Sequence, residues 1–285
     1  MDVIKHGLMH GKRGLVMGVA NDHSIAWGIA RTLRAHGVEL AFTYQGEALG
    51  KRVKPLAASL GSSLMLPCDV EDLTSVDEVF SCIGEKWGSL DFIVHAVAFS
   101  DRSELKGLYA DTTRENFTRT MLISCFSFTE VAKRAAALMP AGGSMLTLTF
   151  GGSNRVMPNY NVMGVAKAAL EASVRYLAAD FGPRNVRVNA LSAGPMRTLA
   201  GAGIADARLM FNYQKRNAPL RRTVTLDEVG GAALYLLSNL STGVTGEVHF
   251  VDSGYNIMSM PHPSALKNID EAQTEDEERT PDAAQ

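Results

Sequence analysis

Seven short apolar runs alternate with longer segments of helical periodicity along most of this chain. The runs are residues 15–17, 40–44, 64–66, 92–96, 145–149, 186–191 and 248–251. Several are apolar throughout, as strands buried on both faces are. Between them, residues 24–36, 75–87, 116–138, 158–180 and 226–237 have the length and spacing of helices. Strands that alternate with helices pair in parallel, because every return crosses the sheet. Right-handed crossovers then give an α/β fold: one doubly wound Rossmann-type sheet of seven parallel strands with helices on both faces. No linker and no solenoid-length repeat interrupts residues 12–257, which are expected to form one domain. Residues 1–11 are read as an extension.

Composition narrows the partners. Charged residues are 20% of the chain and its net charge is −2, so no positive field points to nucleic acid or an anionic membrane. Cys68, Cys82 and Cys125 form no CxxC pair. Neither a disulfide framework nor a metal site is expected, and a reducing compartment fits. No apolar stretch reaches the roughly 18–20 residues that span a bilayer, and the N-terminus lacks a signal-peptide core, so the expected location is the cytoplasm. Residues 258–285 read as a disordered acidic tail; from Lys267 onward seven acidic residues face two basic ones.

The first strand runs directly into Gly18, with Ser24 and Gly28 following. A strand that opens into a helix N-terminus offers small residues for backbone approach and free N–H groups for a pyrophosphate. The G-x9-G spacing departs from G-x-G-x-x-G, so an ordinary loop and a Ser24 cap fit this segment equally well. Gln45 ends the second strand, where a ribose diol commonly meets an acid. It can bond a hydroxyl but carries no charge for a 2′-phosphate, and Glu47 repels one, while Lys51 and Arg52 offset that repulsion. This balance favours NADH over NADPH. Asp69 follows the third strand, within reach of an adenine amino group or as a loop cap.

Tyr160 and Lys167 are seven residues apart, nearly two helical turns, and project from one face. Pro158 suits the first turn of their helix. Such a pair can present a tyrosine hydroxyl to substrate and an ammonium to ribose hydroxyls, with the ammonium lowering the tyrosine pKa through space. A half-buried tyrosine beside a surface lysine is the plainer reading of the same spacing.

These segments resemble a known family. Pro158-Asn159-Tyr160-Asn161-Val162-Met163-Gly164 with Lys167, Arg187-Val188-Asn189-Ala190, and Ser192-Ala193-Gly194-Pro195-Met196-Arg197-Thr198-Leu199-Ala200 are similar to the divergent short-chain dehydrogenase/reductases. Within these the chain most resembles the bacterial NADH-dependent enoyl-acyl-carrier-protein reductases. Gly18-x5-Ser24-x3-Gly28, Phe42-Thr43-Tyr44-Gln45 and Cys68-Asp69-Val70 match that family's cofactor segments, and the likeness spans about residues 10–257. Ordinary members of the superfamily use Tyr-x3-Lys; here Met163 takes the tyrosine's place.

The resemblance implies a catalytic Tyr160 and Lys167. It implies cofactor contacts at Gly18, Ser24, Ile25, Gln45, Asp69, Val70, Val97, Lys167, Met196, Thr198 and Ala200, with NADH as cofactor. It implies acyl-substrate contacts at Ser100 and Tyr160. A substrate loop over about residues 195–215 would set Ala202, Ile204, Met210 and Phe211 against a fatty chain. Acyl carrier protein is the implied partner, and a homotetramer the implied assembly. Two positions depart from the family. Phe150 replaces a second tyrosine ten residues before Tyr160, and Ala98 replaces a glycine. Two other functions fit the same fold. A carbonyl reductase would lack its usual Tyr-x3-Lys, and a non-catalytic NADH-binding relative would account for Phe150 and Ala98.

Overall fold

The computed structural model describes residues 7–198 and 207–261. The expectations placed on Ala200, Ala202, Ile204 and the acidic tail lie outside the described residues. Each of the seven apolar runs forms a strand. β1 (Arg13–Met17), β2 (Glu39–Tyr44), β3 (Leu64–Pro67), β4 (Phe92–His95), β5 (Gly143–Thr149), β6 (Val186–Ala193) and β7 (Val248–Val251) build one parallel sheet. Their order is β3-β2-β1-β4-β5-β6-β7.

Alternate side chains of each strand enter opposite layers. Leu15, Met17, Ile93 and Met145 pack on one face, against Phe128, Leu170 and Val174. Val16, Phe42, Val94 and Leu146 pack on the other, against Ile29, Leu33 and Val229. The first face is covered by α3 (Leu73–Trp87), α4 (Arg114–Met121), α5 (Ser127–Ala137) and α6 (Asn161–Phe181). The second is covered by α1 (Ile25–Ala35), α2 (Gly46–Ser59) and α8 (Leu226–Leu237). Helix α7 (Ala207–Asn217) precedes α8.

Four details differ from the sequence reading. Helix α2 is absent from it because Pro55 lies inside the helix, and an interior proline removes an N–H and reads as a breaker. Val53 and Ala57 are fully buried and hold the helix to the sheet despite it. The single helix expected over residues 116–138 is α4 and α5 joined by a π turn, Leu122–Phe126. Ser24 stands at the N-cap of α1, but its side chain makes no cap bond. Pro158 precedes α6 rather than opening it, since that helix begins at Asn161.

The Arg187–Asn189 segment works as a fastener. Arg187 donates to the carbonyls of Leu236, Ser238 and Val244, at the end of α8 and beyond it. Asn189, fully buried, donates to the Val244 carbonyl and accepts from the Glu247 backbone N–H. These bonds satisfy buried polar groups that would otherwise cost about 1–3 kcal/mol each.

Helices α1 and α8 approach through glycines. A Cβ on Gly28 would lie 2.8 Å from Leu226 Cβ, and one on Gly230 would lie 2.2 Å from Thr32 Oγ1. Gly28, read from the sequence as part of the nucleotide loop, also packs α1 against α8. Gly230→Val should overpack this contact and cost about 1–3 kcal/mol, read as a lower midpoint in chemical denaturation.

Candidate active site at the strand carboxyl ends

The chain order reverses beside β1, whose neighbours are β2 and β4. A crevice opens where two such connections diverge, and ligands of doubly wound sheets bind there. Gly18 leaves β1 at φ +94°, a conformation that favours glycine. A Cβ there would lie 2.1 Å from the Ala96 carbonyl oxygen, so only glycine lets the two strand ends meet.

Ser24 organises the loop that follows. Its hydroxyl accepts from the backbone N–H groups of Ala20 and Asn21 and donates to Asn21 Oδ1. The loop is thus shaped from within, and the first N–H groups of α1, beginning at Ile25, have no intrahelical acceptor, the feature that suits a helix N-terminus to an anion.

At the next two strand ends, Gln45 Nε2 donates to Asp69 Oδ2 at 2.9 Å. Asp69 is held in turn by the Glu71 backbone N–H. The two adenosine-side residues anticipated from sequence therefore meet, and they present an acidic edge. Val70 is buried beside them, and Val97 is half-buried beyond β4. Further along that edge Arg119 grips Glu71 with two hydrogen bonds and lies 4.4 Å from the Phe99 ring centroid.

Ser100 follows β4 as expected, yet its hydroxyl faces inward. It donates to Asn116 Oδ1 and accepts from Thr120 Oγ1, and the residue is 9% exposed. This network, not a route to Tyr160, holds the anticipated substrate contact.

Tyr160 occupies the N-cap position of α6 and is buried against Leu105, Val162 and Met163. Phe150 meets it edge-on, with ring centroids 5.2 Å apart and planes at 73°. Such a pair contributes about 0.5–1.5 kcal/mol beyond area burial. Burial, with the Glu171 charge second, pushes the Tyr160 hydroxyl above its usual range. The expected lowering by the Lys167 ammonium is absent, and the phenol stays protonated.

Lys167 is 6% exposed and donates from Nζ to the Leu148 carbonyl at 2.8 Å. Its surface-lysine reading fails on this burial, which lowers its pKa to about 8. Nearby, His95 is enclosed between Thr147 and Ser127 and tilts against Phe128. Burial first and the Lys167 charge second push its pKa down to about 3. Buried Thr149 and half-buried Glu171 adjoin this group, with Thr149 Oγ1 donating to Glu171 Oε1 at 2.6 Å. The sequence reading missed both residues, although Glu171 stands four residues after Lys167 on the same helix side.

Met196 and Arg197 line a cavity of about 240 Å³ with His23, Phe211 and Thr225. The Arg197 guanidinium lies 5.2 Å from the Phe211 ring centroid. Thr198 follows this segment, and Met210 lies half-buried on α7. Among the described residues, no group of three His, Cys, Asp or Glu side chains is placed to hold a metal.

The sheet order, the glycine-tight crevice and the polar residues at successive strand ends define a dinucleotide-binding α/β protein with a tyrosine–lysine site. A family model described as enoyl-(acyl carrier protein) reductase matches residues 18–256. The chain is 74% identical over 265 residues to NADH-dependent enoyl-acyl-carrier-protein reductase 2 of Rhizobium meliloti, covering 93% of this chain and 99% of that protein. The crystal structure of FabI from Candidatus Liberibacter asiaticus superposes with a TM-score of 0.88 at 60% identity, covering 90% of this chain and 99% of that one. The Anaplasma phagocytophilum reductase, solved in complex with NAD, does so at 0.87 and 58%, covering 90% and 98%. The chain belongs to the enoyl-(acyl carrier protein) reductase family.

Because unfolded His95 titrates near 6.5 and folded His95 near 3, the unfolded state binds the extra proton between these values. Stability should be fully present above pH 6.5 and decline as pH falls toward 3. His95→Asn should flatten that decline in denaturation midpoints measured against pH.

Proposed function

We propose that this chain reduces the trans-2 double bond of enoyl thioesters carried on acyl carrier protein, using NADH, as the last step of a fatty-acid elongation cycle. The observation that carries the reading is the buried Tyr160–Lys167 pair on α6 at the strand carboxyl ends, in a chain whose relatives are named for this reaction. NADH, held across those ends by the residues named below, would supply the hydride that the β-carbon of the enoyl group takes up. Negative charge then develops on the thioester oxygen. The protonated Tyr160 hydroxyl donates to that oxygen and stabilises the enolate more than the ground state. Lys167 holds the nicotinamide ribose and supplies positive potential. The backbone at Gly18 and the N-terminus of α1 receive the pyrophosphate. Gln45 and Asp69 receive the adenosine end, where their acidic edge disfavours a 2′-phosphate. Val70 and Val97 line the cofactor. Ile25, Met196 and Thr198 would close on the nicotinamide side. Protonation of the α-carbon completes the reduction.

The tetramer is part of the same reading. Phe126 on the π turn and Tyr176 on α6 are 51% and 76% exposed, which supports assembly through these helices. No described helix is long and apolar enough to cross a membrane. A cytoplasmic location belongs to the same proposed reading.

An NADH-oxidation assay with a short and a longer enoyl thioester tests the reading. Turnover should be faster with NADH than NADPH, and absent with simple ketones. Tyr160→Phe should lose about 10²–10³ in kcat while NADH binding persists. Near parental turnover in that variant would overturn the assignment.

Phe150 lies where a second hydroxyl would stand, and it can only pack. If Tyr160 alone holds the thioester oxygen, restoring that hydroxyl adds at most one net hydrogen bond, about 0.5–1.5 kcal/mol. Phe150→Tyr should therefore change kcat/KM by less than about tenfold. A wild-type protein inactive on every enoyl thioester, and strongly activated by Phe150→Tyr, would identify a non-catalytic relative instead.

A further inference from the structure

The last two residues of β5 each hold one residue of α6, and the two residues held are one helical turn apart. Leu148 receives the Lys167 ammonium through its carbonyl, at 2.8 Å. Thr149 gives its hydroxyl to Glu171 at 2.6 Å. Thr149 is 5% exposed and Glu171 half-buried, so this carboxylate is tied down rather than free to follow solvent. Helix geometry puts side chains four apart on one face. The strand end thus fixes an ammonium and a carboxylate one helical turn apart, close enough for the carboxylate to act on the ammonium through space rather than as a contact ion pair.

We propose that Glu171 is a positioning residue for the reaction: anchored by Thr149, it is the fixed counter-ion that keeps the buried Lys167 ammonium charged and available to the cofactor ribose. The inference rests on the reading of Lys167 as the ribose ligand.

A buried ammonium needs such a partner, because desolvation favours loss of its proton. Four titratable groups surround it. His95 on β4 is neutral, with its pKa driven down to about 3, and it offers no negative charge. Cys125 in the π turn is a thiol that burial pushes upward, so it stays uncharged near neutrality. Tyr160 is likewise kept protonated. Burial lowers the Lys167 pKa, and Cys125 and then Glu171 oppose it; with the thiol protonated near neutrality, the carboxylate is the charge that acts there. It acts on both members of the pair in the useful direction, holding the proton on Lys167 and on Tyr160. Lys167 nevertheless titrates at about 8, close enough to neutrality for the loss of one neighbouring charge to matter.

The test measures NADH affinity by nicotinamide fluorescence from about pH 6 to pH 10, without enoyl substrate. Affinity that needs the ammonium is full below the Lys167 pKa and is lost as pH rises through it. Glu171→Gln keeps an oxygen for Thr149 but removes the charge. It should move this loss of affinity to lower pH by about half a unit or more. Thr149→Val leaves the charge but frees the carboxylate, and should move it in the same direction by less. Lys167→Ala should weaken NADH binding below about pH 8 and remove the parent's loss of affinity through that pH. If Lys167→Ala weakens binding while Glu171→Gln and Thr149→Val both track the parent profile, Glu171 is structural only and the inference is wrong. If Lys167→Ala leaves NADH affinity intact, the ribose-ligand reading fails and this inference falls with it. Thr149→Val also decides the matter should Glu171→Gln fail to fold.

Discussion

Parallel pairing around β1 is the constraint from which the rest of this structure follows. Each strand must be re-entered from the same end, so each is followed by a crossover on one face or the other. Every loop that leaves a strand's carboxyl end therefore reaches the same rim of the sheet. Gly18, Gln45, Asp69, Val97, Phe150 and Met196 are far apart in sequence and share that rim because of strand order alone. The closest approach, Gly18 against Ala96, lies where β1 and β4 run side by side. Tyr160 and Lys167 reach the rim differently, from the first turns of a helix laid against β5.

The sheet was legible because a strand buried on both faces announces itself as an unbroken apolar run. The Tyr160–Lys167 pair was legible because a seven-residue spacing puts both on one helix face, and because the residues around it resemble the reductase family; the spacing alone fitted a surface lysine as well. What stayed hidden depends on contacts across the sequence. Pro55 speaks against α2 locally, and only the burial of Val53 and Ala57 outweighs it. A π turn adds one residue to a turn without changing the apolar pattern, so Leu122–Phe126 is invisible to periodicity. Ser100 could be placed at a strand end, but the direction of its hydroxyl is decided by Asn116 and Thr120. The bond that holds Lys167 goes to a backbone carbonyl, which carries no sequence signature.

The interior beside the site is unusually polar for a sheet of this kind. His95, Thr147, Ser127, Lys167 and Thr149 are all buried, and each has a hydrogen-bond partner. An apolar interior would stabilise the fold with less risk, since each of these groups is costly if left unpaired. The arrangement keeps Tyr160 protonated as a donor and lets Lys167 carry its charge near neutrality. Stability and chemistry here draw on the same hydrogen bonds.

The glycine contact between α1 and α8 joins two parts of the gene that lie far apart. Helix α1 begins at the nucleotide loop, whereas α8 belongs to the last third of the chain. The direction in which α1 points its N-terminus is set by the surface of α8, through Gly28, Leu226, Thr32 and Gly230; in the proposed function that end meets the pyrophosphate. A genetic screen for lost cofactor affinity would therefore recover alleles in codons near 226–230 that touch no ligand. Suppressors of those alleles would map back to the opening helix, near codons 28 and 32.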